Sequence, residues 1–192
     1  MMDGKIDDYD PPDEITFEGF PKIARWNRDV VVTEKLDGTN AQVIVMEDGR
    51  VAAASRTRLI TPEQDNFGFA RWVQDHAEVL RDLGPGRHYG EWVGKGIQRG
   101  YGLLDRHFVL FNTTRWNSGY FRPACCDAVP VLYSGGLKHL DLDKILEYLR
   151  FQGSLFAPGF PRPEGIVIWH EAARQSFKIT LDNDDAPKGT NK

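Results

Sequence analysis

The chain has 192 residues, 41% of them apolar and 27% charged, and a net charge of −4. This length suits one large domain or two small ones, and the composition excludes wholesale disorder. No apolar run reaches ~18 residues, which excludes a membrane-spanning helix, and the acidic opening MMDGKIDDYDPPDE is not a secretion signal.

The two cysteines, Cys125 and Cys126, are adjacent and offer no disulfide framework, so reduced thiols in a cytoplasmic protein are expected. The net charge argues mildly against a nucleic-acid partner. Its distribution points the other way. Arg87, Lys95, Arg99, Arg106, Arg115 and Arg122 outnumber Glu91 and Asp105 in the middle of the chain, compatible with one anion-binding face.

In chain order, residues 1–13 read as flexible. The run VVVTEK reads as a strand, and AQVIVMEDGRVAAAS as two more around an Asp48-Gly49 turn. Phe69, Val73, Ala77, Leu80 and Leu83 recur at helical spacing and predict a helix between Pro62 and Leu83, stopped by Gly84-Pro85-Gly86. RHYGEWVG and HFVLFNTT read as strands joined by a glycine-rich loop. PVLYS is a strand and LDKILEYLRFQ a short helix. EGIVIWH and SFKITL form a closing hairpin. Strands, helix, strands, helix, strands in that order favour an α+β domain of largely antiparallel sheets.

Lys35 lies between two strand-forming runs, in EKLDGTN. It reads either as a charged cap on a strand end or as a nucleophile. A free lysine has a pKa of ~10.4, so only about one in 2,500 is neutral at pH 7, and closing that gap is worth about 4.6 kcal/mol. A nucleophilic lysine therefore needs a second cation and partial burial nearby. It also needs a metal-binding carboxylate and a flat partner for a base. The chain supplies such groups in order: Arg56 in SRT, Glu91 in HYGEWVG, Phe111 in HFVLFNTT, Glu164 in PEGIVIW and Lys178 in SFKIT. The loop GKGIQRGYG is not a Walker sequence, since no Gly-Lys-Ser/Thr occurs. It reads either as a flexible turn or as a place for Lys95, Gln98 and Arg99 along phosphates. The histidines show no metal spacing, and Trp72, Trp92, Trp116 and Trp169 read as core or interface.

From about Val30 to Lys178 this series resembles the covalent nucleotidyltransferase superfamily of polynucleotide ligases and capping enzymes. Glu34 before the lysine and Thr39-Asn40 after the glycine resemble most closely the RNA ligases of the second phage type and of the RNA-editing type. The resemblance implies an α+β nucleotidyltransferase fold, ATP-grasp-like, of mainly antiparallel sheets flanked by helices. It implies an ATP-dependent RNA ligase that repairs nucleic acid through lysyl-AMP, with ATP and Mg²⁺ or Mn²⁺ as cofactors and nucleic acid bearing 5′-phosphate and 3′-hydroxyl ends, RNA first, as partner.

It also implies the roles. Lys35 is the adenylated nucleophile, and Glu34 reads the adenine edge. Asn40 serves the 5′-phosphate steps, and Arg56 lies near the ribose and substrate phosphate. Glu91 holds the ribose hydroxyls, and Phe111 stacks on adenine. Glu164 engages the metal, and Lys178 contacts the α-phosphate.

Two departures stand out. The family's Lys-x-Lys is here Lys178-Ile179-Thr180, and only 14 residues follow Lys178. A single adenylyltransferase domain over 1–192 is expected, without a further C-terminal domain and with a protein partner to supply one. The rival readings are a DNA or mixed-strand ligase and a non-ligating protein that binds nucleotides or nucleic-acid ends.

Overall fold

The computed structural model describes residues 16–117 and 122–182, so the flexible segment expected over 1–13 lies outside the described residues. Among the described residues, ten strands form two sheets. The smaller has the order β10-β9-β1-β8 and the larger β4-β3-β2-β5-β6-β7. β1 (Asp29–Lys35), β8 (Val131–Gly136), β9 (Gly165–His170) and β10 (Gln175–Thr180) pair antiparallel throughout. So do β2 (Thr39–Val45), β3 (Val51–Ser55), β4 (Leu59–Ile60), β5 (Gly86–Gly94) and β6 (Arg106–Leu110). Among the described residues only β7 (Cys126–Ala128) runs parallel to its neighbour, β6. The expected α+β class with mainly antiparallel sheets is borne out. No helix among the described residues is long and apolar enough to cross a membrane.

The helix expected between Pro62 and Leu83 is broken. Pro62–Gln64 is a 3₁₀ turn, α1 covers Phe69–Asp75, α2 covers Ala77–Leu80, and Arg81–Leu83 is again 3₁₀. Gly68, at φ 76°, starts α1, and His76, at φ −108°, separates α1 from α2. The apolar residues still face inward. Phe69, Val73, Leu80 and Leu83 pack with Trp92, Phe108 and Leu110 on one face of the larger sheet. The run HFVLFNTT is strand only to Leu110. Asn112 then caps α3 (Thr113–Trp116), its side chain accepting the Arg115 N–H. The predicted LDKILEYLRFQ helix is α4 (Leu142–Gln152). Its N-terminus is capped by Asp141, and Leu149 is packed against Val30, Val32, Ile166 and Ile168 of the smaller sheet.

Consecutive strands β1 and β2 lie in different sheets, so Leu36-Asp37-Gly38 carries the chain from one to the other. Gly38 is required by proximity. A Cβ there would meet the Trp92 carbonyl oxygen, Val93 Cγ1 at 2.6 Å and Glu91 Cγ at 3.0 Å. Backbone and core atoms cannot yield cheaply. Gly38→Ala should therefore destabilise the fold by about 3 kcal/mol, read as a lower urea midpoint at unchanged slope.

Candidate active site

Side chains on a strand alternate between faces, and directly paired residues share one. β1 therefore sends Val30, Val32 and Glu34 towards α4, and Val31, Thr33 and Lys35 to the other side. Lys35 pairs with Gly165, which pairs with Thr180. Thr33 pairs with Val167, which pairs with Lys178. Lys35, Thr180 and Lys178 thus share one face. Two strand spacings put Thr180 about 10 Å from Lys35 between Cα atoms, and Lys178 about 12 Å. The absent second lysine of the motif is the position in the Lys35 row. Thr180 is half-buried there, and its hydroxyl donates to the Asp182 carbonyl. Lys178 is exposed.

Glu164 stands just before β9, beside Gly165. Its carboxylate takes the Lys35 ammonium at 2.5 Å, and the Leu181 N–H donates to its backbone carbonyl. The pair is part-buried, with side chains 22% and 17% exposed. Lys35 is therefore not a surface strand cap.

The larger sheet presents the opposite wall. Glu91, on β5, accepts hydrogen bonds from Asn40 Nδ2 at 2.9 Å and from the Gly38 N–H at 3.2 Å. Burial pushes its pKa up to about 7. The Asn40 bond, the Lys35 charge and the Gly38 bond oppose that rise, and the Glu164 charge adds to it. Phe111 follows β6, its N–H donating to the Tyr89 carbonyl, which places it one row beyond Glu91 on the same face. The residue is 43% exposed and leaves a flat surface uncovered beside a buried carboxylate. Arg56 is exposed at the start of the turn after β3. Ser55 pairs there with Ala41, next to Asn40.

The Glu91 shift has a definite sign. Its folded pKa lies above the unfolded carboxylate value, so the folded state binds more protons between about pH 4.5 and 7. The associated stability is present below that window and is lost as pH rises through it. Glu91→Gln should flatten this fall, which amounts to about 3 kcal/mol for a shift of this size. Urea unfolding of both proteins at pH 5 and pH 8 measures it.

Glu34 does not fit the expected base-reading role through its carboxylate. It is buried on the α4 side. One oxygen accepts Ser154 Oγ at 2.6 Å, and the other accepts the Leu155 and Phe156 N–H groups at 2.8 and 3.0 Å. Burial raises its pKa while these three bonds oppose the rise. It anchors the loop that follows α4. Arg99 also turns inward rather than along an open phosphate track. Its Nε donates to Asp37 Oδ2 at 3.0 Å, and Nη1 donates to the carbonyls of Arg162 and Pro163 at 2.9 and 3.4 Å. Ser154 and Tyr101 went unmarked in the sequence. The Tyr101 hydroxyl accepts the Asp37 N–H at 2.7 Å, and only its setting between two glycines hinted at a special conformation.

A family model for RNA ligases matches residues 28–180, the span that carries every one of these groups. The chain belongs to the RNA ligase family. Among solved structures it is similar to a Naegleria gruberi RNA ligase variant with ATP and Mn, at 21% identity and a TM-score of 0.59, over 81% of this chain and 50% of that one. It is similar also to an archaeal ATP-dependent RNA ligase, at 20% identity and a TM-score of 0.58, over 85% of this chain and 48% of that one. This family member thus spans about half the length of the solved ligases it matches, and at these identities the likeness establishes the shared fold.

No group of three or more His, Cys, Asp or Glu side chains among the described residues could cage a metal. Glu164, with Glu91 close enough to feel its charge, is the acidic donor set beside Lys35. That set fits Mg²⁺ or Mn²⁺, which take one or two carboxylates and complete their shell with phosphate oxygens and water. The Cys125 and Cys126 thiols are free, with sulfurs 3.9 Å apart.

Proposed function

We propose that this family member is an ATP-dependent RNA ligase domain that joins 5′-phosphate and 3′-hydroxyl ends through a lysyl-AMP intermediate. The observation that carries the reading is the Lys35–Glu164 pair, sheltered where the two sheets meet, with Glu91 close enough to feel both charges. Structures of the Naegleria ligase with ATP and Mn, and with AMP and Mn, support the nucleotide and metal. Variants of that ligase carry substitutions at a lysine and an aspartate two positions apart, and at a glutamate and a lysine fourteen apart. Lys35 and Asp37, and Glu164 and Lys178, have the same spacings.

In this proposal the neutral Lys35 amine attacks the α-phosphorus of ATP. The N–P bond forms, the bond to the bridging oxygen breaks, and pyrophosphate leaves. AMP then passes to a 5′-phosphate oxygen as the N–P bond breaks, which frees Lys35. A 3′-hydroxyl attacks that 5′-phosphate, a phosphodiester forms, and AMP is expelled. Phosphoryl transfer of this kind depends on positioning and charge neutralisation. A divalent cation held by Glu164 and phosphate oxygens would supply charge neutralisation. Glu91 receives the ribose hydroxyls, the exposed Phe111 ring stacks on the base, and Arg56 and Asn40 face the 5′-phosphate of the polynucleotide. With the Glu34 carboxylate committed to the Ser154 loop, the choice of adenine rests on other groups.

Lys178 is the strand-borne cation on the Lys35 face. Lys178→Ala should slow adduct formation about 100-fold, the scale of losing one preorganised charge-stabilising donor. Thr180→Lys should recover part of that loss, because residue 180 lies in the Lys35 row. Label transfer from α-labelled ATP, followed over time, checks both.

The proposal takes residues 1–192 as one adenylyltransferase unit in a cytoplasmic setting, consistent with the free thiols. It includes a protein partner that grips the polynucleotide. The deciding experiment offers matched RNA, DNA and hybrid nicks with 5′-phosphates. Preferred sealing at RNA 3′-hydroxyl ends supports the reading, and sealing confined to DNA nicks replaces it with the DNA-ligase rival.

A further inference from the structure

Arg99 lies in the loop between β5 and β6, turned away from any open phosphate track, and it makes contacts with three separate segments. Its Nε holds Asp37 Oδ2 at 3.0 Å, two residues after Lys35. Its Nη1 donates to the Arg162 and Pro163 carbonyls, immediately before Glu164. Its Nη2 stands 3.7 Å from Asp182 Oδ2, just beyond β10, next to the residue whose N–H holds the Glu164 carbonyl. The side chain is 26% exposed and Asp37 28% exposed, so the pair is partly shielded from water.

The loop is built to hold that position. Gln98 (φ 43°) and Tyr101 (φ 53°) both occupy the left-handed region, which non-glycine residues enter only where surrounding contacts compel it. Ile97 and Tyr101 are buried on either side of Arg99, and the Tyr101 hydroxyl takes the Asp37 N–H. A planar guanidinium can donate along several edges at once, which a lysine ammonium cannot do with the same fixed geometry.

We propose that Arg99 is a positioning residue. It ties the loop carrying Lys35 to the loop carrying Glu164 and so fixes the nucleophile relative to the carboxylate, without touching the nucleotide. The inference rests on the reading of Lys35 as the adenylated residue. Its central content is the mechanical link between the two loops, which can be measured without turnover.

Three variants test it: Arg99→Ala, Arg99→Lys and Asp37→Asn, together with the Arg99→Ala/Asp37→Asn double variant. Near-ultraviolet circular dichroism establishes that each is folded. Arg99→Ala should lower the rate constant of adduct formation at saturating ATP by about 10–100-fold, the scale of small misplacements in a reacting pair. The apparent ATP constant should stay within about threefold. Arg99→Lys should remain defective, and the double variant should lose little more than the worse single one, because both changes cut one link. Hydrogen exchange supplies the readout independent of activity. Amides of residues 36–38, Arg162 and Glu164 should exchange faster together in Arg99→Ala, and those of Arg162 and Glu164 should also do so in Asp37→Asn.

A raised ATP constant with an unchanged saturating rate would place Arg99 on the phosphates and overturn the proposal. So would exchange that stays at wild-type level in both segments. If wild-type protein formed no adduct at all, the ligase reading would fall, and exchange alone would decide the link.

Discussion

Lys35→Ala should form no covalent adduct with α-labelled ATP, a loss of at least about 10⁴-fold that leaves only background labelling. The amine lies on its sheet face paired directly with Glu164. Its removal takes away the bond-forming atom rather than a supporting charge. The variant should remain folded, since Lys35 ends β1 and contributes nothing to the α4 core. It leaves Glu164 without its cation, so a modest change in stability is expected, of the size measured for partly exposed pairs, up to about 1 kcal/mol. Lys144→Ala, which removes an exposed pair with Asp141 on α4, serves as the control and should label normally. Denaturing electrophoresis after incubation with labelled ATP gives the answer. Acid-labile label persisting on Lys35→Ala would assign the nucleophile elsewhere.

Glu164→Gln should reduce adduct formation by about 100–1,000-fold, the range for losing one preorganised electrostatic contact at a phosphoryl centre. Two effects act together. The change removes the carboxylate proposed to hold the divalent cation, and it removes the counter-charge that orients the Lys35 ammonium. The amide is isosteric, so the Leu181 bond to the backbone carbonyl and the β9–β10 register should survive. Mn²⁺ titrations followed by electron paramagnetic resonance, with ATP present, separate the effects. Weakened metal binding together with slow adduct formation is the expected result. Unchanged metal affinity would restrict Glu164 to orienting Lys35.

The Glu34–Lys35 dipeptide shows what the sequence could and could not disclose. Chemistry dictates a lysine, an adjacent turn and distant carboxylates, and those residue types are visible as letters. Which way a side chain points is set by the pleat. Glu34 and Lys35 are neighbours in sequence but face opposite sides of β1, and Glu34 is spent on Ser154, Leu155 and Phe156. That loop lies 120 residues away in the chain, beyond the reach of local pattern. The inward contacts of Arg99, named in the sequence only as a candidate along phosphates, were hidden for the same reason. Its partners, Asp37, Arg162 and Pro163, are joined only by the fold.

The sheets were readable because β-branched runs and the Asp48-Gly49 turn act locally. The long helix was not, because its apolar spacing continues smoothly through His76 while the backbone does not. The parallel β6–β7 pairing involves a three-residue strand too short to carry a pattern. The exposed Phe111 ring lies just past the end of β6, where the apolar run HFVLF gave no sign that the last residue leaves the core.

Every step of the proposed ligation depends on AMP being stored on Lys35. Incubating the wild-type protein with ATP and Mn²⁺, digesting it and locating the added mass on the peptides tests this directly. The account predicts one AMP, joined through nitrogen to Lys35 and released by pyrophosphate. Folded protein that binds ATP yet carries no AMP, or carries it on another residue, would contradict it.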